Sequence, residues 1–175
     1  METFTQTFTQ TGKETVLPKQ KKTNAMRILD REGVKYSVME YQVDDGKIDG
    51  ISVAGKIKRD PGIVFKTLVV QGGSGENYVC VIPVTEELSL KKAAVNTGER
   101  KIDLVAVRDI QNITGYIRGG CSPIGMKKML KTWIDSSAEH HISIIVSGGR
   151  IGTQIEIAVK DLSRVIRCQT ADLIS

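Results

Sequence analysis

The run Val64-Phe65-Lys66-Thr67-Leu68-Val69-Val70 sets one lysine in the middle of an apolar segment. Strand alternation places Val64, Lys66, Leu68 and Val70 on one face and Phe65, Thr67 and Val69 on the other. An ammonium among three aliphatic side chains must reach solvent along its stem, find an acid, or line a cleft. In a cleft, such a cation can stabilise negative charge on a bound or reacting group. The plainer reading is an edge strand whose lysine discourages pairing with another sheet. Two glycine-rich stretches, 115–125 and 147–152, favour the cleft.

The first of these contains Gly119-Gly120-Cys121-Ser122-Pro123-Ile124-Gly125. Glycine lets backbone approach a ligand and aim N–H groups at an anion, and Pro123 stiffens the arrangement. Ser147-Gly148-Gly149 offers a second set of amides at a hairpin end. For both, an ordinary tight connection is the alternative. Cys121 is the obvious nucleophile by type, but its activation needs a nearby base or a positive field. The only histidines, His140 and His141, stand beside Glu139 at a strand start. No Ser-His-Asp or Cys-His arrangement emerges. Two adjacent histidines without cysteine or carboxylate spacing make a poor metal site, so neither metal nor cofactor is expected.

The elements that must position these residues follow from local patterns. Thr23 can cap a helix carrying Ala25, Ile28 and Leu29, with Gly33 ending it. Residues 36–41 alternate as a strand. Asp49 can cap a short helix with Ile51, Val53, Ala54 and Ile57, which Arg59-Asp60-Pro61-Gly62 then breaks. The 64–70 strand and residues 78–82, joined through Gly72-Gly73-Ser74-Gly75, read as an antiparallel hairpin. Ser89 caps a helix over 90–95, and a second helical piece spans 107–113. Residues 127–134 are mixed apolar and basic, and 136–139 can form one helical turn. Strands over 142–146 and 153–159 are joined by the second glycine stretch, and a short helix closes the chain over 161–166. Hairpins outnumber crossovers, which predicts an α+β domain around a mixed, partly closed sheet. Residues 1–20, rich in Thr and Gln, are expected to be a disordered tail, and 21–175 one domain.

Composition narrows the class. The chain is 40% hydrophobic, 26% charged and only 5% aromatic, so its core must be mainly aliphatic. A net charge of +5 fits binding to a polyanion without a basic arm. Three widely spaced cysteines and no secretory leader point to reduced thiols and a cytoplasmic protein. No stretch approaches bilayer-spanning length, so no membrane role is expected.

Taken in order, Phe65-Lys66-Thr67-Leu68-Val69, Leu90-Lys91-Lys92-Ala93-Ala94, Thr114-Gly115-Tyr116, Gly119-Gly120-x-Ser122-Pro123-x-Gly125, Ser147-Gly148-Gly149 and Ile155-Glu156-Ile157 resemble the YbaK/EbsC family of trans-editing deacylases. These are relatives of the insertion domain of bacterial prolyl-tRNA synthetase. The likeness runs from about Thr23 to the C-terminus. It implies a mixed, mostly antiparallel, barrel-like β-sheet flanked by short helices, and hydrolytic removal of a wrong amino acid from tRNA, typically cysteine from tRNA(Pro). It implies that Lys66 is the essential lysine, near the terminal adenosine and its phosphate. Tyr41, Phe65 and Thr67 would shape the pocket. Gly119 and its loop (Gly120, Ser122, Pro123, Gly125) would meet the aminoacyl carbonyl region, with Ser147, Gly148 and Gly149 on the opposite wall. The implied partners are the aminoacylated acceptor end of tRNA and prolyl-tRNA synthetase, with no DNA. In the YbaK subgroup the substrate's own thiol attacks the ester, and a held thiol beside its carbonyl enjoys a large effective molarity. Cys121 falls at a variable motif position, and Gln154 lies where members differ, which leaves pocket selectivity open. The alternatives are a sister deacylase of other specificity using water, and a non-catalytic module that binds tRNA or a synthetase.

Overall fold

The computed structural model describes Thr7–Gln10, Lys13–Val16 and residues 21–175. The two N-terminal stretches, β1 (Thr7–Gln10) and β2 (Lys13–Val16), pair antiparallel with each other. The rest of the expected tail (residues 1–6, 11–12 and 17–20) lies outside the described residues. From residue 21 the order is α1 (Asn24–Arg31), β3 (Tyr36–Glu40), α2 (Gly50–Lys56), β4 (Phe65–Gly72), β5 (Asn77–Pro83), α3 (Leu90–Thr97) and β6 (Ile102–Leu104). There follow α4 (Val107–Thr114), β7 (Lys131–Asp135), β8 (Ser143–Arg150), β9 (Thr153–Ala158), α5 (Val159–Ile166) and β10 (Gln169–Ala171).

The helix starts are set locally. The side chains of Thr23, Asp49 and Ser89 accept the backbone N–H groups of Met26, Ser52 and Lys92. Each satisfies a donor that a helix start leaves without an intrahelical partner. Gly98 and Gly115 stop α3 and α4 in the left-handed region, at φ +75° and +83°.

The expected α+β class holds, with antiparallel pairing predominant. The β structure is nevertheless divided: five strands in the order β10-β7-β5-β4-β6, and three in the order β3-β9-β8. The two sheets meet at a single parallel bridge, Val64 to Ile145, and do not close into a barrel. Closure fails on the outer side of β4. There β6 is only three residues long and pairs with Val70, Gln71 and Gly72 alone.

The main core lies between the sheets. Phe65, Val79, Val81 and Ile134 from one sheet pack with Ile144, Val146, Ile155 and Ile157 from the other, and α1 and α5 cover it with Leu29 and Leu162. A second cluster sits on the far face of the larger sheet. Val70, Cys80, Ile82 and Trp133 pack there under Ala93 and Ala94 of α3, with Tyr78 edge-on to Trp133 at 5.8 Å between ring centroids. A third joins Ala54 of α2 to Val64, Val84 and Ile145.

Candidate active site

Between its contacts with β8 at Val64 and with β6 at Val70, β4 has no strand along its outer side. The Val84 N–H donates to the Val64 carbonyl on the β5 side, and the Val105 N–H donates to the Val69 carbonyl on the opposite side. Backbone groups of an antiparallel strand alternate in direction, so Thr67 turns its N–H and C=O into the gap between the sheets.

A cavity of about 510 Å³ fills this gap. Val64, Phe65, Lys66, Thr67 and Leu68 all line it. Side chains of successive strand residues point to opposite faces, so five in a row can share a cavity only along the strand's edge. The two readings of Lys66 therefore converge: it is both an edge lysine and a cleft lysine. The side chain is half-buried, and no carboxylate among the described residues lies within ion-pair distance of it. Its neighbour's hydroxyl, Thr67 Oγ1, is buried without a hydrogen-bond partner. A buried unpaired hydroxyl on a cavity wall is a donor and acceptor that a ligand can satisfy.

Gly46, Ile48, Asp49, Gly50 and Val53 form the wall at the start of α2, and Val84 extends it. Lys56 secures the loop before that helix. Its ammonium donates to the carbonyls of Gln42 and Lys47 at 2.7 and 2.9 Å and to Asp45 at 2.6 Å. Arg118, Gly119 and Cys121 come from the first glycine loop, Ser147 from β8 and the buried Gln154 from β9. Gly119 has φ +87°, where any side chain is strained, and a Cβ there would also displace the tip of Ile48, whose Cδ1 lies 2.7 Å away.

The nucleophile candidates on these walls are quiet. Burial pushes the Cys121 thiol up to about 11, which keeps it protonated at neutral pH. Ser147 Oγ accepts the Gly149 N–H at 3.2 Å and has no base beside it. Hydrogen bonds from Ser52 hold the Asp49 carboxyl below its ordinary range, which makes it a weak base. His140 and His141 lie at the end of a 3-10 turn and do not line the cavity. What the site offers is two cations, Lys66 and Arg118, without an ion pair among the described residues, polar groups in unspent positions, and shape.

Of the residues marked by the sequence, Phe65, Lys66, Thr67, Gly119, Cys121, Ser147 and Gln154 come together on the cavity wall. The others take supporting positions in place of the expected lining ones. Gly120 packs flat on the β8–β9 turn, where a Cβ would lie 2.8 Å from the backbone of Arg150 and Ile151. Ser122 is fully buried and accepts the Ile124 N–H at 3.2 Å, and Pro123 is buried beside it. The Gly125 carbonyl accepts from the Asn24 amide at 2.7 Å, and the Gly148 carbonyl from the Thr23 hydroxyl at 2.6 Å. Gly149 stands where a Cβ would press on Tyr116 and Thr23. These glycines thus clamp both loops onto the start of α1. Tyr41 donates its N–H to the Gly152 carbonyl at 2.9 Å, its ring faces Lys56, and its hydroxyl is buried without a partner. The α2 wall and Arg118 carried no sequence signal beyond turn residues and a cap. That wall exists only because the end of the β4–β5 hairpin brings Val84 against Gly50.

Comparison with known proteins places this geometry. Residues 50–165 match the family described as the aminoacyl-tRNA editing domain. A protein of Enterococcus faecalis, named as a candidate Cys-tRNA(Pro)/Cys-tRNA(Cys) deacylase, EbsC, is 40% identical over 154 residues, covering 88% of this chain and 94% of that protein. The crystal structure of a candidate trans-editing enzyme for prolyl-tRNA synthetase superposes with a TM-score of 0.78 at 22% identity, over 89% of this chain and 99% of that one. A solved protein described only as hypothetical gives 0.80 at 19% identity, over 87% and 100%. The two structures bear on the fold, while the family match and the 40% identical relative carry the assignment. The chain belongs to the aminoacyl-tRNA editing domain family.

Proposed function

We propose that this aminoacyl-tRNA deacylase acts in trans on cysteine mischarged to tRNA(Pro), with the substrate's own thiol as nucleophile. The observation that carries the reading is the content of the cavity: an unpaired cation, Lys66, and no protein nucleophile with a base beside it. A relative with 40% identity, named for Cys-tRNA deacylation, supports the same substrate. The cysteinyl sulfur attacks the ester carbonyl, the bond to the ribose oxygen breaks, and the thiol proton ends on that oxygen. Water then opens the resulting thiolactone to free cysteine. Lys66 steadies the negative charge that develops on the departing or carbonyl oxygen, and Thr67 finds in the substrate the partner it lacks. The acceptor end enters the cavity, and prolyl-tRNA synthetase is the partner that selects the tRNA.

Single-turnover deacylation of Cys-tRNA(Pro) and Ser-tRNA(Pro) on the same tRNA body tests this reading. Serine is nearly isosteric, but its hydroxyl ionises far less readily near neutral pH, so the cysteinyl substrate should turn over much faster and yield a trappable thiolactone. Equal rates with no thiolactone at any quench time would make water the nucleophile. Preference for another aminoacyl group across a mischarged panel would make the protein a sister editing enzyme, and tight binding without turnover a recruiting module.

A further inference from the structure

The stretch from Val107 to Lys131 carries Arg108, Arg118, Lys127, Lys128 and Lys131 against one acid, Asp109. It accounts for +4 of the chain's +5, so the remaining residues are close to neutral. All five cations are exposed, and none is ion-paired with a described residue. The fold gathers four of them around one helix. Arg108 lies in the first turn of α4, about 9 Å along the axis from its last residue, Thr114. Lys127 returns to that end: its N–H donates to the Thr114 carbonyl at 2.9 Å and its ammonium to the Asn112 carbonyl at 3.2 Å. Lys128 follows it, and the negative end of the helix dipole favours both charges there. Arg118, in the same loop, stands on the cavity wall.

We infer that this surface carries the phosphates of the acceptor strand next to the aminoacylated adenosine, leading the strand from the mouth at Arg118 along α4. The inference rests on the proposed substrate. Arg118 is an exposed residue of the cavity wall, so a strand that leaves the cavity on its side meets the cations of α4 next. Exposed cations without an ion-pair partner suit regularly spaced phosphates better than neutral surface does. Ile117 and Met129 are also exposed in this stretch, and an acidic face of a protein partner could cover the same surface. The experiment therefore separates RNA from protein.

The variant Arg108→Gln/Lys127→Gln/Lys128→Gln is compared with wild type on full-length Cys-tRNA(Pro) and on cysteinyl-adenosine, with binding of uncharged tRNA followed against salt. The expected result is a loss of at least tenfold in kcat/KM on the full tRNA and a log–log salt slope lower by about two. Cleavage of cysteinyl-adenosine should be unchanged. Wild-type affinity and slope for uncharged tRNA would overturn the inference. So would a defect seen only when prolyl-tRNA synthetase is added, which would assign the surface to the protein partner. If wild type cleaves neither substrate, the proposed function fails, while the salt slopes for uncharged tRNA still decide whether the surface meets RNA.

Discussion

Lys66 shares one face of β4 with Val64 and Leu68, on which its stem can pack, and lines the cavity at the strand's open edge. Methionine can keep that stem packed and removes only the charge. Lys66→Met is therefore expected to fold normally and to lose about 10²–10³ in single-turnover rate, roughly 3–4 kcal/mol of transition-state stabilisation. Full activity in the folded variant would remove Lys66 from the mechanism. Cys121→Ala is the matching control. A thiol pushed up to about 11 by burial supplies almost no thiolate at neutral pH, so this variant should retain most activity. A loss of three orders of magnitude in purified Cys121→Ala would restore a protein-thiol mechanism. Lys66 was legible in the sequence because a charge in an apolar run is a local anomaly. Arg118 was not legible as a wall residue, because it does not stand out from its immediate neighbours, and Gln154 was marked only through the family resemblance.

The elements around the site are held by contacts between distant segments. Arg59, just after α2, makes a two-pronged pair with Glu156 of β9 at 2.8 Å for each bond, and the Ser143 hydroxyl donates to the same carboxylate at 2.7 Å. The Arg59 guanidinium, opposed by partial burial, holds the Glu156 carboxyl below its ordinary value of 4.5. A carboxyl lowered on folding contributes stability that is complete above its unfolded value and fades as pH falls through the folded one. Glu156→Gln should cost about 1 kcal/mol at neutral pH, the pair being partly open to solvent. The gap in Tm between wild type and Glu156→Gln should hold from pH 7 to 5 and shrink on further acidification. A gap that persists at pH 2.5 would assign the effect to packing instead of charge. At this scale the helices were legible, since caps at Thr23, Asp49 and Ser89 and helical spacing are properties of a few neighbouring residues. Strands β6, β7 and β10 were not. Thr132, Trp133 and Ile134 are buried in succession on a strand with both faces covered, which erases alternation, and β6 and β10 are three residues each.

For the molecule as a whole, the residues up to about Lys19 are expected to be dispensable. The β1–β2 pair forms a sheet of its own, and an isolated two-stranded hairpin is marginal in water. Removing residues 1–19 should leave Tm and single-turnover rate close to those of the full chain; a clear fall in either would show that the segment packs on the domain. By itself the sequence determined the α+β class, the β4–β5 hairpin, the helix starts and the presence of a lysine on an apolar strand, because each is written in spacings of two to four residues. It also held the ordered motifs that identify the family. Only the tertiary structure decided that β4 loses its partner between Val64 and Val70, that the sheets stay open there, and that the glycine motifs divide between Gly119 on the wall and Gly120, Gly125, Gly148 and Gly149 in the frame. Those outcomes depend on which strand stops short and which loop packs on which helix. Such contacts join residues more than a hundred positions apart, as Thr23 does with Gly148, and no local pattern encodes them.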